Sequence, residues 1–150
     1  MDVSGSKSKK PSGASSLSKS PPEPTAFFLD RSLGKNRIAL ELRQAGVTVH
    51  VHDDHFPPAA KDEEWLTHAG QKGWVVLTKD HRIRYRNLER TALMSAGVGA
   101  FVLTAGGLNG NEMARIFVTA LPAIAKLLTK HRRPFIAKIT RSGAVSVVVE

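Results

Sequence analysis

Trp74-Val75-Val76-Leu77-Thr78-Lys79-Asp80 is the stretch that decides the fold. Its apolar run is short, rich in valine and unbroken by polar residues, so Trp74 to Thr78 is a strand buried on both faces. A strand of that kind lies inside a parallel sheet with helices on both sides. Working outward, the same alternation of strand and helix continues in both directions. On the N-terminal side a helix opens at Asp62, turns Trp65, Leu66 and Ala69 inward, runs to about Gln71 and stops at Gly73. Phe56-Pro57-Pro58 makes a loop. Before it, Val47 to Asp53 alternates Val47, Val49 and Val51 with Thr48, His50 and His52, the pattern of a half-exposed strand or one near an edge. Leu33 to Ala45 is a helix with Ile38, Leu42 and Ala45 on one face, ended by Gly46, and Ala26 to Asp30 is a short buried strand.

On the C-terminal side, Tyr85 to Ala96 is helical, Gly99 to Thr104 is a strand, and Ala105-Gly106-Gly107 is a turn. Asn109 to Lys130 carries Met113, Ile116, Phe117, Ala120, Leu121, Ile124, Leu127 and Leu128 at helical spacing, with Pro122 expected to kink or split the helix. Phe135 to Thr140 and Ala144 to Val149, joined across Arg141-Ser142-Gly143, form a terminal β-hairpin. The predicted fold is α/β, with three layers, right-handed crossovers, a mostly parallel sheet flanked by helices, and the C-terminal β-hairpin.

The chain has 150 residues, of which 41% are hydrophobic and 23% charged, which excludes wholesale disorder and fibrous architectures. With no cysteine, disulfides and thiolate chemistry are excluded, and a reducing cytoplasm is the expected setting. The apolar stretches fall short of a membrane span and the N-terminus lacks the apolar core of a secretory signal, so a soluble protein with no membrane association is expected. Residues 1–24 are dominated by Ser, Lys, Gly and Pro, with Val3 and Leu17 as the large aliphatics. They bury too little surface to offset the entropy of ordering and are expected to form a flexible basic tail on a domain of residues 25–150.

Charge is unevenly distributed. Eight of the 13 acids lie from Asp30 to Asp80, whereas three acids, Glu89, Glu112 and Glu150, follow Asp80 against eleven Lys and Arg. A basic half beside an acidic cluster suits a metal-dependent enzyme acting on a polyanion, because the basic field draws in phosphates that the acids would repel. Three acids matter most. Asp30 ends the first strand, Asp62 opens a helix, and Asp80 lies two residues past the third strand, where Thr78 can orient it. In a parallel sheet the carboxyl ends share one edge, so these carboxylates converge there, and crowded carboxylates call for a cation. Each also has a plainer role, Asp30 as a solvated strand end or cap and Asp62 as a helix cap.

Asp30 closing its strand, Asp62-Glu63-Glu64-Trp65-Leu66 opening a helix, and Trp74 to Asp80 together resemble the acidic signature of the PIN-like domains, which include the VapC-type ribonuclease toxins. The resemblance covers about residues 25–105. It implies endonucleolytic cleavage of RNA, with Asp30, Asp62 and Asp80 holding Mg²⁺ or Mn²⁺, Glu63 or Glu64 as substitute ligands, a cognate antitoxin partner and a homodimer. Typical members add a Glu within the second helix and a fourth acid after the third; here Asp62 stands for the former, and no clear fourth acid follows Asp80. Thr78, Lys79, Arg82, Arg84 and Arg86 are the candidate substrate contacts, with Tyr85 and Asn87 as candidates for base or sugar.

A second motif competes. His50-Val51-His52-Asp53-Asp54-His55 resembles the metal-binding signature of the metallo-β-lactamase superfamily, which implies a zinc hydrolase. That fold draws further ligands from later strands, and only His68, His81 and His131 remain here, so a polar strand face is the favoured reading, with Asp53 or Asp54 near the other acids. A third class is a non-catalytic module, a basic domain that docks on nucleic acid or a partner protein with its acids serving as caps.

Overall fold

A computed structural model of the protein describes residues 25–150 except Lys35, so the expected tail lies outside the described residues. Six strands form one sheet in the order β2-β1-β3-β4-β5-β6: β1 (Ala26–Leu29), β2 (Thr48–Val51), β3 (Val75–Thr78), β4 (Gly99–Leu103), β5 (Phe135–Ile139) and β6 (Val145–Val149). The first five are parallel, and β6 pairs antiparallel with β5 as the expected hairpin. The strand nucleated by Val75-Val76-Leu77 is central, with every residue of β3 buried.

Side chains alternate across the sheet and so divide the core in two. Phe27, Leu29, Val75, Leu77, Phe101 and Leu103 face α1 (Arg37–Gln44) and α6 (Gly110–Lys130). Phe28, Val76, Ala100 and Val102 face α3 (Asp62–Lys72) and α5 (Asn87–Ala96). Two single turns, α2 (His52–His55) and α4 (Arg82–Tyr85), complete the helices. Since α5 and α6 accompany steps in the same direction along the sheet but cover opposite faces, the β4–α6–β5 crossover has the opposite hand to those before it. That departs from the expected uniform right-handedness. The eight-residue α1 cannot cover its face alone, and α6 covers the rest.

Other departures are local. The expected helix from Leu33 divides into a 3-10 turn over Arg31–Leu33 and α1 from Arg37, because Gly34 between them has φ 73°, outside any right-handed helix. The expected strand from Val47 to Asp53 ends at Val51, the partner of the last residue of β1, and the unpaired backbone beyond it coils into α2. Helix α6 runs unbroken through Pro122, so the expected split is not met; buried Phe117 and Ala120 before the proline and Ile124 and Leu127 after it hold both halves on one face. Among the described residues no helix is long and apolar enough to cross a membrane.

Candidate functional site

The chain leaves β1 for β2 on one side and later passes to β3 on the other, so β1 and β3 flank the point where the strand order reverses. The carboxyl ends at such a point leave a crevice. Helices α3 and α5 both run back from that edge, which places their first turns beside the ends of β1 and β3. The result is a cleft of about 620 Å³ lined by Asp30, Asp62, Glu63, Asp80 and Glu89, with Arg31, Lys61, Arg82 and His52 among the other lining residues.

Asp30 is 5% exposed and lies on the α3 and α5 side of the sheet, as alternation from Phe28 dictates. Its Oδ2 accepts the Thr78 hydroxyl at 2.6 Å, and its Oδ1 accepts the Ser32 amide at 2.9 Å and the Ser32 hydroxyl. Burial raises the Asp30 carboxyl above its ordinary pKa; the hydrogen bonds from Ser32 and Thr78 oppose that rise, and the charge of Asp80 adds to it. Thr78 is fully buried, and its Oγ1 also accepts the Asp80 amide at 2.9 Å. One hydroxyl therefore ties the two strand-end acids together. Arg82 donates its Nε to both Asp80 oxygens at 3.0 and 2.9 Å. Burial alone would raise the Asp80 carboxyl, but the hydrogen bonds and charge of Arg82 outweigh it and hold the pKa below the ordinary value.

Asp62 is the first residue of α3 rather than its cap, which is Lys61, and its Oδ1 accepts the Trp65 indole N–H at 3.1 Å. Glu63 lines the cleft, whereas Glu64 turns back to accept the Lys61 amide at 3.3 Å and belongs to the helix start. Thr78 holds Asp30 and does not line the cleft; Arg82 lines it but is engaged by Asp80. Lys79, Arg84 and Arg86 lie outside the lining, with Lys79 and Arg86 exposed.

Where the sequence offers no clear fourth acid beyond Asp80, the cleft brings in Glu89. This residue lines the cleft, and its Oε1 is buried without a hydrogen-bond partner. A single helix from Tyr85 gives Glu89 no special place. The break at Arg86, where φ is −89° and ψ 127°, starts α5 at Asn87 and puts Glu89 in the first turn at the carboxyl edge. The signal was available in Asn87-Leu88-Glu89, an Asn at a helix start with an acid close behind.

Among the described residues, no three His, Asp or Glu side chains stand together in an arrangement that holds an ion. The expectation that Asp30, Asp62 and Asp80 come close enough to share one cation is therefore not met: they line one cleft, but Asp62 is hydrogen-bonded to Trp65 and Asp80 to Arg82. The cleft nonetheless fits a hard divalent ion: five carboxylates oppose three Lys and Arg side chains, one carboxylate oxygen is orphaned, and all these acids offer oxygen ligands. His50 and His55 of the motif gather around an indole and not in a metal-holding arrangement. His50 stacks on Trp74 at 4.1 Å between ring centroids, and His55 and His68 pack edge-on against the same indole at 5.2 and 5.1 Å. His52 is buried apart from them at the cleft, with Nδ1 3.2 Å from Asp53. The zinc-hydrolase alternative is not favoured, because packing against Trp74 and Phe28 accounts for where these rings lie.

An acidic cleft at the reversal point of a parallel sheet places the protein among the open α/β folds, in which that crevice is the ordinary ligand site. The chain belongs to the PIN-like domain family: the profile of the family described as "PIN like domain" matches residues 25–105, which include Asp30, Asp62, Asp80 and Glu89. It is similar to the Mycobacterium tuberculosis (strain ATCC 25618 / H37Rv) protein named "Putative ribonuclease VapC45", with 27% identity over 126 residues, 81% of this chain and 91% of that protein. No solved structure matches the chain at a significant level.

Proposed function

We propose that the protein is a divalent-metal-dependent endoribonuclease whose active site is the acidic cleft. The observation that carries this reading is the convergence of Asp30, Asp62, Asp80 and Glu89 from four separate segments on one cleft. The family membership and the likeness to VapC45 support it. Asp30, Asp62, Asp80 and Glu89, with Glu63 beside them, are the residues to hold Mg²⁺ or Mn²⁺. When bound, such an ion acidifies water and offsets negative charge developing on the phosphodiester oxygens. The protein contributes position. Thr78 and Ser32 fix both oxygens of Asp30, and Thr78 also fixes the Asp80 backbone, so neither acid must be ordered at the moment of reaction. Arg82 neutralises Asp80 in the metal-free protein; once released it is the guanidinium inside the cleft that can take a phosphate, with Lys79, Arg84 and Arg86 drawing in the flanking backbone.

The role of toxin in a toxin–antitoxin pair, with an antitoxin covering the acidic edge and a homodimer as the assembly, belongs to the same reading and is supported by the VapC likeness. The direct test is cleavage of a set of RNAs during titration with Mg²⁺, Mn²⁺ and Zn²⁺. Cleavage restored by Mg²⁺ or Mn²⁺ and abolished by chelation supports the proposal; salt-sensitive binding with no turnover under any metal reverses it in favour of the non-catalytic module.

Two variants sharpen the assignment. Glu89→Gln keeps the shape of the side chain and removes its charge, so it is expected to weaken Mg²⁺ binding by about 10-fold or more, read as a smaller rise in melting temperature at a given Mg²⁺ concentration. An unchanged Mg²⁺ response would remove Glu89 from the site. His50→Gln disturbs the stack on Trp74 and the edge contact with His55 and is expected to leave cleavage within about twofold of the parent, since His50 does not line the cleft. Loss of cleavage in a folded His50→Gln protein would return the histidines to the mechanism.

A further inference from the structure

Beside the cleft the fold exposes a ring pair that packing does not explain. Tyr85, at the end of α4, is 65% exposed, and Leu88, in the first turn of α5 and on the cleft wall, is 70% exposed. Single exposed apolar residues are ordinary, so exposure alone means little. Tyr85, however, faces a second exposed ring. His81 and Tyr85, one helical turn apart on the same side of α4, hold their ring planes 25° apart with centroids separated by 6.5 Å. That separation is within the ordinary range of offset aromatic pairs, so the two exposed rings form one continuous aromatic surface.

The charge around the pair selects the occupant. The Arg84 guanidinium lies 5.0 Å from the Tyr85 centroid, and Lys79, Arg82, Arg86 and Arg90 fall in the same short segment. A flat aromatic group attached to a polyanion fits this surface, and that is a nucleotide in a single strand. Bases in a duplex are unavailable, because their faces are already stacked. Resting on the ribonuclease reading above, we propose that Tyr85, with His81 beside it, is a platform on which one unpaired nucleobase of the RNA stacks, so that the neighbouring phosphodiester is positioned over the acidic cleft. Stacking serves any base, so the platform selects single strands over duplexes rather than one sequence.

The test uses the full chain carrying Asp30→Asn, to prevent turnover, and a short single-stranded RNA with 2-aminopurine placed at successive positions. Fluorescence quenching at one position is expected, persisting with Tyr85→Phe and lost with Tyr85→Leu, together with affinity about 5- to 100-fold weaker for the Leu variant. In the cleaving protein, Tyr85→Leu should raise KM with little change in kcat. An abasic nucleotide at the quenched position should raise KM in the parent and not in the variant. Equal binding and quenching by parent and Tyr85→Leu overturns the platform and leaves the ring pair as a protein contact; a Phe variant as weak as Leu overturns it too, since the hydroxyl would then be the determinant. Binding is read without cleavage, so the two proposals fail separately. Tyr85-dependent quenching in a parent that never cleaves keeps the platform and removes the nuclease.

Discussion

Asp30→Asn is expected to remain folded, to lose cleavage by about 100-fold or more, and to melt at a higher temperature than the parent in metal-free buffer at neutral pH. The exchange removes a charge from a buried cluster without changing its shape. The Asn oxygen can still accept from the Ser32 amide, and the Thr78 hydroxyl, freed from donating to Asp30, can turn toward Ser32 Oγ 3.3 Å away. The sign of the stability change follows from the pKa. Burial raises the folded-state value above the ordinary 3.8, so the stability Asp30 contributes is fully present below 3.8 and is lost as pH rises through the folded value. Neutral pH lies above 3.8, so the buried acid is a net cost there, and the advantage of the variant should vanish in acid. Asp80 behaves oppositely. Its pKa is held below 3.8, so its contribution is present above that value and lost as pH falls, and Asp80→Asn should lower the melting temperature at neutral pH while also abolishing cleavage. Melting curves across pH with and without Mg²⁺, alongside RNA cleavage, check both. A folded Asp30→Asn protein that cleaves like the parent removes the acidic cleft as the active site.

The second large effect is on the fold. Gly70→Ala is expected to destabilise the protein by about 3 kcal/mol, a fall in melting temperature of roughly 10 °C. A Cβ at Gly70 would lie 2.1 Å from the backbone oxygen of Ala96, and backbone near the end of α5 cannot step aside as a flexible side chain would. Helices α3 and α5 cross there in near contact. Because α3 carries Asp62 and α5 carries Glu89, forcing them apart also moves two of the cleft acids, and the residual folded protein should bind Mg²⁺ more weakly. Gly106→Ala, with nothing within 4 Å of its added Cβ, is the control and should change stability by less than about 1 kcal/mol. A Gly70→Ala protein as stable as that control would show that the helix pair has room to separate.

Much of this architecture was legible because local rules and the tertiary fold agree. Val75-Val76-Leu77 is apolar on both faces and became a central strand; Trp65, Leu66 and Ala69 recur at helical spacing and are buried; Gly73 ends α3 with φ 71°. Where the two levels diverge, the reason is a contact the local pattern cannot contain. His52 follows a strand pattern but lies beyond the last residue of β1 that could pair with it, and Pro122 breaks an isolated helix but not one held along its buried stripe.

The same division holds in the site. By itself the sequence determined that acids end the first and third strands and open a helix, and that strands alternating with helices put all three at one edge. Only the tertiary structure decided what each acid does there. Sequence spacing does not encode which side chain meets Asp80 first, and Arg82 takes it. Nor does it show that Glu64 is consumed by the start of α3, that Thr78 joins Asp30 to Asp80, or that a one-residue break at Arg86 aims Glu89 into the cleft. Periodicity fixes which face a residue occupies, whereas partners separated by tens of residues are chosen by the distance left between packed elements.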